Sequence, residues 1–294
     1  MKNKIIGYLR LMRPANIVTA VADILAGIAI SGFLITHPSD FSPLVWLILS
    51  TIGLYGGGVV MNDVFDSALD KVERPERPIP SGLISRSEAS ALGITLLVIG
   101  IYFAFLVSDF SGLLALIIAA AALVYNRWSK HHVVLGPLNM GICRGLNLVL
   151  GLSIIPSQVA EYWFLAIIPV IYIAAITMIS QGEVYGGKRM TLIAAAGLYL
   201  LAMVGILYIS FLKDQMLTTL AFVVLWALMV FLPLQRAMRL PQGKLIGKAV
   251  KAGVLALILM NAAWASAFGV TYLALIIILL LPLSLLLAKV FAVT

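Results

Sequence analysis

The sequence predicts an all-α polytopic membrane protein of nine to ten transmembrane helices, organised as a single domain over residues 1–294. Three observations lead there. The chain is 62% hydrophobic and only 11% charged, where a soluble domain carries roughly a quarter charged residues. Its mean hydropathy of +1.10 excludes a water-soluble core-and-surface body. Its Lys and Arg residues also sort to alternate loops, as in a chain threaded repeatedly through a bilayer.

A span takes about 20 mostly apolar residues. Segments of that kind run over 15–36, 43–62, 88–107, 111–128, 133–155, 162–181, 190–211, 216–236, 246–268 and 270–292. The last two are divided only by the turn around Phe268-Gly269-Val270-Thr271, which makes nine the lower count. With the N-terminus inside, all of the 20 Lys and Arg except Lys213 and Arg144 fall on the inner side. The outer loops carry Asp40, Asp109, Glu161 and Asp214 instead. An even count also puts Lys289 inside, which favours ten. The basic start MKNKIIGYLRLMRP lacks a small-residue cleavage pattern and reads as the lead into a retained span. Cys143 is alone, so no internal disulfide forms. The formal charge of +8 is accounted for by the inner loops, with no need of a nucleic-acid partner. A bacterial cytoplasmic membrane, N-terminus cytoplasmic, is the expected location. A long polar inner loop (63–87) follows the second span and a shorter one (182–189) the sixth, without a repeat visible by identity.

The chemistry concentrates at the inner end of the second span, in VVMNDVFDSALDKVERPERPIPSG. Helical residues at i, i+3/i+4 and i+7 share a face, so Asn62, Asp63, Asp66 and Asp70 form one polar stripe. Clustered carboxylates repel, and a divalent cation relieves the conflict. Mg²⁺ takes oxygen ligands and commonly bridges one or two carboxylates to substrate phosphates. Lys71, Arg74 and Arg77 follow, placed to meet diphosphate oxygens. The plain alternative is a solvated membrane edge with an Asp70–Arg74 i,i+4 pair. The run Gly56-Gly57-Gly58 just before the stripe allows close helix approach.

Asn62-Asp63-Val64-Phe65-Asp66-Ser67-Ala68-Leu69-Asp70 followed by Arg77-Pro78-Ile79-Pro80-Ser81-Gly82 resembles the first signature of the UbiA superfamily of intramembrane prenyltransferases. Leu11-Met12-Arg13-Pro14-Ala15-Asn16 and Tyr125-Asn126-Arg127-Trp128-Ser129-Lys130 are similar to further family patterns, and the resemblance runs to about residue 268. It implies a UbiA-like bundle around a central cavity under a cytoplasmic cap. The implied reaction is transfer of a prenyl group from a Mg²⁺-bound isoprenyl diphosphate to a lipophilic or aromatic acceptor. By the same resemblance Asn62, Asp63, Asp66 and Asp70 would hold the metal, with Asp63 and Asp66 central to catalysis. Arg13, Asn16, Arg77 and Lys130 would line the polar end of the cavity and bind substrate.

The family's second aspartate-rich motif corresponds here to Ile179-Ser180-Gln181-Gly182-Glu183-Val184-Tyr185-Gly186-Gly187-Lys188-Arg189, which looks most like an EboC-like branch. It offers one carboxylate, Glu183, and two cations. Either Glu183 and Gln181 hold one metal while Lys188 and Arg189 neutralise diphosphate, or the two cations are inner-loop anchors and Gly186-Gly187 a flexible turn.

Arg144 lies deep in the fifth span, where an isolated charge costs several kcal/mol unless paired or facing water. It either lines the cavity as a catalytic, diphosphate- or acceptor-holding group, or pairs with Asp23 of the first span. Asn147 shares its face and is the better substrate-binding candidate than Asn139. Asn261 and Trp264 could line the same space or pack helices. His131 and His132 sit in a basic loop with no ligand pair at metal spacing, which makes them solvated residues. The expected activity is therefore Mg²⁺-dependent prenyl transfer within the membrane, with no general base assigned. The alternatives are diphosphate removal without transfer, or a non-catalytic relative that binds or transports a prenyl lipid or pigment precursor.

Overall fold

The computed structural model describes residues 2–132, 134–183 and 186–291. The chain opens with α1 (Lys2–Met12), breaks at Arg13-Pro14, and continues as α2 (Pro14–Ser31) and the short α3 (Phe33–Thr36). Next come α4 (Ser42–Phe65) and α5 (Ser67–Glu73), then α6 (Arg86–Phe105) and α7 (Asp109–Arg127). A 3-10 turn leads into α8 (Leu135–Leu152), then α9 (Pro156–Tyr162) and a second 3-10 turn into α10 (Ile167–Ser180). The chain ends with α11 (Arg189–Leu212), α12 (Met216–Arg239), α13 (Gly243–Ala267) and α14 (Thr271–Val290). No strand occurs among the described residues.

Nine segments among the described residues are long and apolar enough to cross a membrane, α9 and α10 together supplying one of them. The chain is an integral, multi-pass membrane protein. The expected fifth span, α8, falls outside that set because it carries Asn139, Arg144 and Asn147, yet it packs along α2 on one side and α10 on the other. Counting it, ten helices traverse the bundle. Arg13, Asp63, Asn126 and Lys130 then meet at one end, while Ser111, Ser153, Tyr162 and Lys213 meet at the other.

Lipid tails are as apolar as Leu, so helices in a bilayer gain little from the hydrophobic effect and associate through close packing of small residues. The innermost helices obey this. The spanning window of α2 is 83% buried and that of α13 67% buried, and both are rich in Ala and Gly. Gly27 of α2 lies against the backbone of Leu148 in α8, and Gly151 of α8 lies against Ile24, so a side chain at either would overlap main-chain atoms. The α4–α6 contact is built the same way: a Cβ on Gly57 would come within 2.8 Å of the Gly93 carbonyl oxygen. The expected role of the glycine run thus belongs to Gly57, with Gly53 one turn earlier against Gly100.

The segment 74–85 folds back over the end of α4. Ile79 and Ile84 bury against Leu11, Val60, Val64 and Ala89, a small apolar cluster separate from the main core. The Ile84 amide donates to the Pro78 carbonyl, and Gly82 turns the chain with φ +77°, a conformation costly for other residues. Ser85 and Glu88 then start α6 with a capping box. Opposite, the Gly187 amide donates to the Pro241 carbonyl, tying the 181–188 loop to the entry of α13. These two loops frame the polar end of the bundle.

Replacing Gly27 by Leu forces α2 and α8 apart, and we expect a stability loss of roughly 3 kcal/mol or more. Gly197→Ala in α11, where a Cβ meets nothing within 4 Å, should be neutral or stabilising by up to about 1 kcal/mol. Thermal unfolding of the detergent-purified protein checks both.

Candidate functional site

A cavity of about 330 Å³ opens between α2, α4, α7, α8, α10 and α13. Its walls are apolar (Leu54, Ile118, Ile173, Ile176, Val254, Leu257), and its polar groups gather at the mouth and the floor. Arg13, Asn16, Asn62, Arg144, Asn147 and Glu183 all line it, six residues singled out by the sequence. Tyr55, Tyr125, Asn126, Thr51 and Cys143 join them.

At the mouth, the acidic stripe divides. Asn62 and Asp66, one helical turn apart, face α7 and the turn after it. Asn62 Nδ2 donates to Asn126 Oδ1 over 2.9 Å, and Asn126 Nδ2 donates to the Gly58 carbonyl. Asp66 is ion-paired with Lys130. Asp63 and Asp70, two turns apart, face the other way and share Arg77: its Nη1 lies 3.4 Å from Asp63 Oδ1 and 2.8 Å from Asp70 Oδ2. Asp63 also accepts from Arg13 Nη2 over 2.8 Å. The expectation of one four-residue stripe is therefore revised, because consecutive positions on a helix stand about 100° apart and 62/66 cannot share a direction with 63/70. Among the described residues no three His, Cys, Asp or Glu side chains converge into a metal cluster.

The donor set nonetheless fits a magnesium ion on the 62/66 side. The Asn62 nitrogen is committed to Asn126, which leaves its oxygen as the donor atom for the cavity. Asp66, one turn further along, offers a carboxylate, paired here with Lys130. Two hard oxygen donors, with water and substrate phosphate completing the shell, are what this ion commonly takes from a protein.

On the second loop, Glu183 lines the cavity mouth. Burial pushes its carboxyl above the usual range, and the Arg74 guanidinium acts in the opposite sense. Lys188 and Arg189 are exposed and outside the cavity lining, the arrangement expected of inner-loop anchors. Val184 and Tyr185 lie outside the described residues.

The floor is a closed polar network. Arg144 Nη1 lies 2.6 Å from Asp23 Oδ2, and its Nη2 donates to Thr19 Oγ1. Asn147 Nδ2 and Asn261 Nδ2 both donate to Asp23, and Thr51 donates to Asn147. Arg144 also stacks over Tyr55, 4.8 Å from the ring centre. Both sequence readings of Arg144 are realised together, since it lines the cavity and is paired with Asp23. The guanidinium expected to hold diphosphate or an acidic group of the acceptor is committed here to a buried carboxylate. Asn139 instead donates to Ser129, and Trp264 is fully buried against Phe268. His132 is exposed, and its Nδ1 accepts from the Val134 and Leu135 amides at the start of α8.

Sequence reasoning passed over Tyr55 and Thr51, and met Tyr125 only within the pattern that ends at Lys130. Tyr55 stands seven positions before Asn62, a spacing that puts both on one helix face, and that signal could have found it.

Residues 25–249 match the model of the UbiA prenyltransferase family. The chain is 33% identical over 178 residues to the digeranylgeranylglyceryl phosphate synthase of Saccharolobus solfataricus, covering 59% of this chain and 60% of that one. It is 35% identical over 156 residues to the synthase of the same name from Methanothrix thermoacetophila, covering 52% and 57%. The chain thus spans less than two thirds of the length of these curated relatives. A UbiA homolog from Archaeoglobus fulgidus bound to GPP and Mg²⁺ superposes with a TM-score of 0.65 at 17% identity, covering 90% of this chain and 99% of that one. At that identity the likeness establishes the fold.

Removing one partner of a buried ion pair leaves an uncompensated charge. Asp23→Ala should therefore cost about 3–5 kcal/mol, and Asp23→Leu combined with Arg144→Met should recover most of it. Thermal unfolding of the three proteins in detergent measures the difference.

Proposed function

Because the chain belongs to the UbiA prenyltransferase family, we propose that it is a Mg²⁺-dependent enzyme transferring a prenyl group from an isoprenyl diphosphate to a lipophilic acceptor inside the membrane. The observation that carries this reading is the cavity itself, apolar along its walls and rimmed by Asn62, Arg13 and Glu183 at one end. Asn62 and Asp66 would hold the ion. When bound, Mg²⁺ supplies positive charge to the diphosphate as its ester oxygen becomes the leaving group.

The chain's own residues do the rest. Asp63 and Asp70 fix Arg13 and Arg77, so that the Arg13 guanidinium, which lines the cavity, stands ready for diphosphate oxygens without reorganising. Lys130, paired with Asp66, can move to the same anion. The apolar walls keep water from the allylic carbon as positive charge develops there. The Tyr55 and Tyr125 rings line the same space and present π faces to that charge. Asn16, Asn147 and the Arg144–Asp23 pair close the polar part of the cavity. Lys188 and Arg189 are left to anchor the loop.

We place the protein in the cytoplasmic membrane with its N-terminus and basic loops on the cytoplasmic face, and treat residues 1–294 as one prenyltransferase-like domain. The names of the relatives favour an acceptor of the prenylated glyceryl phosphate class. Placement in an EboC-like branch rests on the 179–189 stretch alone, and the relatives named above do not support it. That stretch, with Glu183 as its one carboxylate, also favours a second reading, a carrier that binds prenyl diphosphate without turnover.

Incubation of the purified protein with geranyl, farnesyl and geranylgeranyl diphosphates, with and without Mg²⁺, tests these readings. We expect Mg²⁺-dependent diphosphate release that falls at least about 100-fold in Asp66→Ala. Tight binding with no release from any diphosphate would establish the carrier.

A further inference from the structure

A second cleft lies on the same end of the bundle, outside the transfer cavity. Arg10, Arg13, Asp63, Arg74, Glu76, Arg77, Pro78 and Val290 line a volume of about 430 Å³. Four arginines face two carboxylates there. Asp63 is already shared between Arg13 and Arg77, and Arg77 also grips Asp70. Arg10 and Arg74 bring two further guanidinium groups from different elements, α1 and the folded-back segment.

The backbone holds this arrangement at some expense. Arg13 has φ +50°, a left-handed conformation that costs a non-glycine residue of order 1–3 kcal/mol. Pro14 bars the ordinary helical alternative at that position. Arg13 also lines the transfer cavity, so one side chain forms part of both walls.

The surroundings are exposed and apolar. On α1, Ile5, Ile6 and Leu9 are exposed beside Arg10, and Val290, which lines the cleft, is 63% exposed. A helix with exposed apolar residues next to cationic ones suits the interface between headgroups and acyl chains. Converging guanidinium groups are the side chains best matched to phosphate oxygens.

We propose that this arginine cleft binds the phosphate of a lipid at the membrane interface, and that the lipid is the phosphate-bearing acceptor of the transfer reaction. The second clause rests on the function proposed above. The first stands without it. With the phosphate held by Arg10 and Arg74, Arg13 lies between the acceptor's head and the prenyl diphosphate and sets their separation.

The test uses the full chain and the variant Arg10→Gln, a residue that lines the cleft and not the transfer cavity. In detergent, dioleoyl phosphatidic acid should raise the unfolding temperature of the wild type more than dioleoylglycerol does, and the variant should lose that difference. Equal stabilisation of wild type and variant, or of both proteins by inorganic phosphate alone, overturns the lipid-phosphate site. In nanodiscs, the KM for geranylgeranylglyceryl phosphate should rise roughly 10–100-fold in the variant, with kcat and the KM for prenyl diphosphate unchanged. An unchanged acceptor KM beside a lost phosphatidic acid effect makes the cleft a site for bulk lipid and overturns the acceptor assignment. If diphosphate is never released, the transfer reading fails, while displacement of phosphatidic acid by geranylgeranylglyceryl phosphate still decides whether the cleft takes the acceptor.

Discussion

A guanidinium and a carboxylate in the middle of a bilayer must meet, and the bundle is arranged so that Arg144 and Asp23 do. Neither charge could be left unpaired there without a cost of several kcal/mol. Their meeting brings α2 against α8, and Asn261 and Thr51 extend the network to α13 and α4. Four helices that gain little from apolar contact in lipid are thereby given one registry. The glycine contacts between α2 and α8 follow from it, because the pair can close only if the two backbones come together. The cavity lies above this layer, and the layer supplies its floor.

At the opposite end of the cavity the logic changes from pairing to poise. Three carboxylates and three cations neutralise one another across the mouth, and each pair is only partly withdrawn from water. Such pairs can be exchanged for a metal and a diphosphate, since the incoming groups carry the same charges as those they replace. The division of the stripe assigns separate work to its two sides. Asn62 lines the cavity, with Asp66 one turn on and paired with Lys130, while Asp63 and Asp70 hold Arg13 and Arg77 in place. Glu183 is the carboxylate that the second loop contributes to the mouth.

Much of this was legible in the sequence because a membrane makes patterning severe. Apolar runs gave the helices, including α8, whose charge and amides make it the least apolar of them. Arg144 and Asp23 stood out because each is a lone charge in an apolar segment, which left cavity lining or a mutual pair as the two resolutions. The division of the stripe was harder to see. A spacing of i, i+1, i+4 and i+8 covers an arc wide enough to be taken for one face, and only the neighbouring cations reveal two. Tyr55 and Tyr125 were harder to assign for a different reason, since an aromatic residue in an apolar helix does not by itself show whether it faces lipid, a neighbour or a cavity. The arginine cleft depends on the 74–85 segment folding back onto α4, a tertiary event that Ile79 and Ile84 drive and that no local pattern announces.

The central claim is that the two halves of the stripe do different jobs. It is tested most directly by locating the metal. A structure determined with Mn²⁺ and a non-hydrolysable prenyl diphosphate analogue would show the ion by its anomalous scattering. The account predicts a peak between Asn62 and Asp66 at the cavity mouth, with Asp63 still bound to Arg13. A peak ligated by Asp63 and Asp70, with Arg13 and Arg77 displaced, would contradict it.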